Sequence, residues 1–89
     1  MHEPAITITD VRIRRARTAG ASPIAWASFV IDGTIRVSNV AIFQDGDGGY
    51  RTEFPSRVGR HGQRYHHVRP IDQRTRSRID EAILSELGC

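Results

Sequence analysis

Between an apolar run at residues 24–31 and a second β-rich run that begins at Thr34 stands the dipeptide Asp32-Gly33. Glycine takes positive φ without steric cost and aspartate tolerates the neighbouring position, which is what a two-residue hairpin turn demands. The two runs must then lie antiparallel, and the rest of an 89-residue chain has to be built around that hairpin. A chain this short forms one domain with a thin core, burying about 60% of the surface it exposes when unfolded.

The flanking segments extend the hairpin into a sheet. Ile6 and Ile8 lead into Val11, Ile13 and Arg15 alternating with Arg12 and Arg14, a period-two pattern that predicts a strand over residues 5–16. A turn-rich connector at 18–23 precedes residues 24–31, whose Trp26 and Phe29 are expected in the core. In the run 34–43 the apolar residues change parity between Val37 and Val40, which predicts a bulge around Ser38-Asn39. Residues 44–49 form an exposed turn and 50–54 a short fourth strand. Residues 57–64, with Gly59 and Gly62, have no apolar periodicity and are expected to be a mobile loop, before a short fifth strand at 65–68.

The period then changes. Asp72 is a good N-cap, Thr75, Ile79, Ala82, Ile83, Glu86 and Leu87 share one helical face, and Gly88 is placed to end the helix. The expected architecture is an α+β fold in one domain, 1–89. It has a small antiparallel β-sheet of four to five strands (about 5–68, with a basic loop at 56–64) and one C-terminal amphipathic α-helix (about 72–87).

Charge is concentrated rather than spread. All 13 basic residues are arginine and none is lysine, a bias that a GC-rich genome also favours. Residues 1–54 are neutral, with six arginines against six acids. Residues 55–78 carry seven arginines (57, 60, 64, 69, 74, 76, 78) against Asp72 alone, a local +6, and three acids follow in 79–89. Such a field attracts a polyanion, and His61, His66 and His67 would add to it in acidic solution. Nucleic acid is the expected partner, because a guanidinium offers phosphate two-point contact and can stack on a base.

Arg74, Arg76 and Arg78 stand in the first turns of the helix, where the macrodipole is already positive, a conflict of about 0.3–1 kcal/mol per exposed charge. The same placement suits a bound phosphate, since free N–H groups and guanidinium donors converge there. At 100° per residue Arg74 and Arg78 point to solvent and Arg76 lies near the edge of the apolar face. Arg57, Arg60, Arg64, Arg74, Arg76 and Arg78 are accordingly the candidate nucleic-acid-binding residues.

Other chemistries find little support. No Ser/His/Asp arrangement, phosphate loop or paired carboxylates can be assembled, so no enzyme and no cofactor is expected; Gly46-Asp47-Gly48-Gly49 lacks the Lys and Ser/Thr of a phosphate loop. Adjacent His66 and His67 would point to opposite faces of a strand, and the one cysteine is Cys89, so no metal site is expected. Tyr50 and Tyr65 are packing residues that could instead stack on unpaired bases. With no membrane-length apolar run, the expected location is the cytoplasm.

Several short motifs, in order along nearly the whole chain, resemble the stage V sporulation protein G (SpoVG, septation protein) family. They are Thr9-Asp10-Val11-Arg12-Ile13-Arg14-Arg15, the Asp32-Gly33 hairpin, Phe54-Pro55-Ser56-Arg57, and Pro70-Ile71-Asp72-Gln73-Arg74-Thr75-Arg76. The resemblance implies an antiparallel sheet with one C-terminal helix, a homodimer, DNA binding with RNA binding beside it, and a regulatory link to sporulation, septation or gene expression. It carries the family's basic positions onto Arg57, Arg60 and Arg76. The chain departs from the family at Arg57-Val58-Gly59-Arg60-His61-Gly62, where relatives have a Lys-Arg-Thr-Pro type of loop, and at Arg69, where His is common. The rival expectation is a septation protein partner bound through the same arginine surface.

Overall fold

A computed structural model of the chain describes residues 6–18 and 20–88; the expected first residue of strand one and Cys89 lie outside them. Four strands, β1 (Ile8–Arg15), β2 (Ala25–Ile31), β3 (Ile35–Gln44) and β4 (Tyr50–Glu53), form an antiparallel meander in the order β1-β2-β3-β4. The β2–β3 turn has positive φ at both Asp32 (51°) and Gly33 (68°), as a mirror-type hairpin turn requires. Thr34 N–H closes the turn on the carbonyl of Ile31 at 3.0 Å.

Two bulges bend the sheet. One is the expected slip at Ser38-Asn39, where the β2–β3 register shifts between Ala27 and Phe29 and Asn39 takes φ 61°. The other lies in β1 between Thr9 and Arg12, with Asp10 at φ 52°. Its sequence signal is the change of parity from Ile6 and Ile8 to Val11 and Ile13. The left-handed region is open to aspartate and asparagine because their short polar side chains bond locally; here Asp10 accepts from the guanidinium groups of Arg36 and Arg12.

The helix α1 (Gln73–Leu87) packs on one face of the sheet. Its Ile79, Ile83 and Leu87 meet Ala25, Ala27, Phe29, Val40 and Ile42, all at most 5% exposed, and Phe54 closes the layer edge-on to Phe29 at 6.4 Å. The helix ends are capped as expected. Asp72 accepts from Thr75 N–H at 2.7 Å, and Gly88 at φ 95° turns its N–H back to the carbonyls of Leu84 and Ser85. Arg15 reaches from β1 to donate to the Leu87 carbonyl at 2.7 Å, placing a cation at the negative end of the macrodipole. Glu86 is exposed, not part of the apolar face, because the buried stripe runs through Ile79, Ile83 and Leu87.

Two further expectations are corrected. Residues 56–64 are not a loop throughout, since β5 (Ser56–Val58) and β6 (Arg64–His66) pair as a second, two-stranded antiparallel sheet. The fifth strand therefore pairs with the basic segment, not with the main sheet. Trp26 is not in the core either: Ala25, Ala27 and Phe29 are buried, so Trp26, three residues from Phe29, must face the side away from α1, where it is half-buried. Tyr50 packs against the core, whereas Tyr65 is 46% exposed on the hairpin.

Candidate nucleic-acid interface

The basic segment is held by backbone, which is why no apolar period announced it. His67 N–H donates to the Pro55 carbonyl at 2.8 Å, closing the base of the β5–β6 hairpin just after the chain leaves β4. At the tip, Gly59 N–H bonds the Gln63 carbonyl at 2.6 Å, Gly62 N–H bonds the Gly59 carbonyl at 3.1 Å, and Gly62 takes φ 84°. Gly59 also permits a close approach. A Cβ there would stand 2.4 Å from Cε2 of Tyr65, so the ring lies directly on the glycine backbone.

The hairpin distributes its arginines over both faces. Arg57 pairs across the ladder with Tyr65 and lays its guanidinium 5.2 Å from the ring centre. Arg64, opposite Val58, points the other way, bonding the Ser56 hydroxyl at 2.9 Å and lying 3.4 Å from Glu53. Arg60 stands exposed at the tip beside His61. Arg57 and Arg60 thus project a positive charge that no carboxylate on the hairpin itself offsets, since no acid occurs between Glu53 and Asp72.

The helix arginines divide as well. Arg74 is exposed beside Asp72, whose carboxyl is held below its usual range first by the bonds from Thr75 and in smaller part by Arg74. Arg78 is exposed and donates from Nε to the carbonyl of Ile6 at 3.2 Å. Arg76 turns inward. Its Nη2 donates to the Thr52 carbonyl at 2.6 Å, its guanidinium lies 5.7 Å from the centre of the Phe54 ring, and its Nε is 3.8 Å from Asp80. Asp80 in turn accepts from the buried Thr52 hydroxyl at 2.7 Å. This arginine joins helix to sheet, and a phosphate would have to compete with all of these contacts.

The open face of the main sheet, opposite α1, carries a second group that the charge count passed over because residues 1–54 sum to zero. Arg14 lies 4.5 Å over Trp26 and Arg51 lies 4.4 Å over Phe43. The available signal was the odd spacing of Trp26 from Phe29, which in a strand puts one of them outside. Among the described residues no cluster of His, Cys, Asp and Glu could hold a metal ion, and no helix is long and apolar enough to cross a membrane.

Comparison with known proteins agrees with the motif order along the chain. The sequence model of the SpoVG family matches residues 6–88. The chain is 37% identical over 79 residues to the "Putative septation protein SpoVG" of Geobacillus thermodenitrificans, covering 89% of this chain and 80% of that protein. The protein of the same name from Oceanobacillus iheyensis gives the same identity and coverage, and that of Bacillus mycoides is 35% identical, covering 89% of this chain and 79% of its own length. A match that runs from β1 through the caps of α1 shows that the chain belongs to the SpoVG family.

Proposed function

We propose that this protein is a homodimeric nucleic-acid-binding regulator linked to septation or sporulation, gripping phosphate with the arginines of its β5–β6 hairpin and the first turns of α1. The septation link rests on the names of its relatives. The observation that carries the binding reading is the projecting hairpin, where Arg57 and Arg60 stand exposed with His61 and His66 and no acid lies within the segment. Arg74 and Arg78 extend this set; Arg76 contributes mainly by fixing the helix to the sheet. No catalytic role is proposed for any residue.

Fluorescence anisotropy against duplex DNA, single-stranded DNA and RNA at two salt concentrations tests the reading. Binding should weaken with salt at a log–log slope of about −0.9 per duplex phosphate neutralised. The double variant Arg57→Ala/Arg60→Ala should lose about tenfold or more in affinity at low salt with an unchanged melting midpoint. Unchanged affinity would remove the hairpin from the interface.

Exposed apolar side chains favour a second reading, a protein-interaction module of the division machinery: Ile71 is 90% and Val58 62% exposed. Absence of salt-sensitive binding to any nucleic acid would shift the assignment there.

A further inference from the structure

The side of the main sheet that faces away from α1 is open, aromatic and ringed by guanidinium groups. Trp26 pairs with Arg14 on one side and with Ala41 on the other, and Phe43, two residues beyond Ala41, pairs with Arg51. Trp26 and Phe43 are thus diagonal neighbours on one face, their backbone positions about 7–8 Å apart by strand geometry. Each already carries a cation, Arg14 at 4.5 Å from the Trp26 ring centre and Arg51 at 4.4 Å from that of Phe43. Arg12 and Arg36 share this face through their pairing with Ser28 and Val30.

From this geometry we infer that the open sheet face is a stacking platform for single-stranded nucleic acid, on which two successive unpaired bases lie against Trp26 and Phe43 or on the guanidinium planes that cap them. The inference rests on the nucleic-acid reading above and adds a polymer class and a second contact surface. Aromatic rings and arginine planes on an open sheet are what unpaired bases stack on, and the bases of a closed duplex cannot be laid flat there. Charge fits the same occupant. Asp10 is shared by Arg12 and Arg36, Asp45 and Glu53 serve Arg51 and Arg64, and Arg14 is given over to the Trp26 ring. Five arginines against three carboxylates leave the face positive, so a second copy laid symmetrically against it would meet like charge. A groove lined by Trp26, Phe43, Ser56 and Arg64 connects this face to the β5–β6 hairpin, so one strand could run from the rings to the hairpin arginines.

Trp26 is the only tryptophan, so its emission reports on the platform directly. The full-length protein is titrated with fluorescein-labelled oligo(dT), oligo(U) and a mixed-sequence duplex, following oligonucleotide anisotropy and, with unlabelled strands, Trp26 emission. The expected result is saturable quenching by the single strands with the midpoint given by anisotropy, and none by the duplex. Trp26→Ala/Phe43→Ala should lower single-strand affinity by about tenfold or more and leave duplex affinity unchanged, while Trp26→Phe retains most of the single-strand affinity. Neither ring belongs to the buried core, so a melting curve like the wild type's is expected; if the double variant unfolds, the wild-type quenching and Trp26→Phe still decide. Single strands that bind without altering Trp26 emission overturn the platform and leave the hairpin reading standing; failure of every oligonucleotide to bind overturns both. Emission that shifts with protein concentration alone, and not with oligonucleotide, overturns the platform by assigning the face to a contact between copies.

Discussion

Arg76 and Arg60 carry the same charge sixteen positions apart in the chain, yet one bonds a backbone carbonyl and covers an aromatic ring while the other stands in solvent at a turn. Removing a charged donor from a part-buried acceptor costs about 1.5–3 kcal/mol, so Arg76→Ala should lower the urea midpoint clearly. Arg76→Lys should recover only part of the loss, because one ammonium cannot reproduce the planar fork that reaches Thr52 while lying on Phe54. Arg60→Ala should change stability by less than about 0.5 kcal/mol, as exposed substitutions do, while weakening nucleic-acid binding. If Arg76→Ala left the midpoint untouched, the residue would be free for phosphate after all. Spacing along a helix places such a residue at the edge of the apolar face, but only the position of Thr52 and Phe54 in the sheet decides whether it is used there.

At the scale of the element, α1 begins against its own macrodipole. No acid occurs in its first turn, and Asp72 supplies the negative charge from the cap position. Its carboxyl is held below the usual value of 3.8 by the bonds from Thr75, and that of Asp10 is held below it chiefly by the bond from Arg36. A folded-state value below the unfolded one means a contribution present in full above the ordinary carboxylate range and lost as pH falls through the folded value. Urea midpoints should therefore fall as pH drops below about 4. Asp72→Asn, which still caps the helix, should show a shallower fall; an identical acid profile would mean that this carboxylate does not contribute. The main sheet and this helix were legible in the sequence because each buries an apolar face and so imposes a period: the Asp32-Gly33 turn, the slip at Asn39 and both helix caps stand where the residues put them. The β5–β6 hairpin was not, since Val58 and Tyr65 remain exposed and pairing is settled by backbone bonds around Gly59 and Gly62. Of the candidate site, the segment that carries the charge was legible, whereas the direction of each arginine depends on cross-strand partners far away in sequence.

For the whole molecule, a thin one-sided core leaves apolar surface that one copy does not cover. Ile71 is 90% exposed at the start of α1, beside a groove lined by Ile6, Ile31, Val37, Phe54 and Val68. A second copy seated at this groove would bury Ile71 and would set two basic hairpins on one particle. Two linked sites bind a long polyanion more tightly than either alone, by an effective concentration that depends on their spacing. Light scattering at micromolar concentration should then give twice the chain mass of 10.0 kDa. Ile71→Glu should restore the single-chain mass and weaken binding to long nucleic acid more than to an oligonucleotide that spans one hairpin. The side chain touches water already, so the substitution should leave the fold of each copy intact. A dimer that survives Ile71→Glu would move the contact to the outer edge of β1, whose eight residues end the sheet on that side and could pair with a second copy. A wild-type protein that scatters as a single chain would remove the dimer and leave each hairpin to bind alone, with a shallower loss at high salt because fewer nucleic-acid phosphates are neutralised per particle.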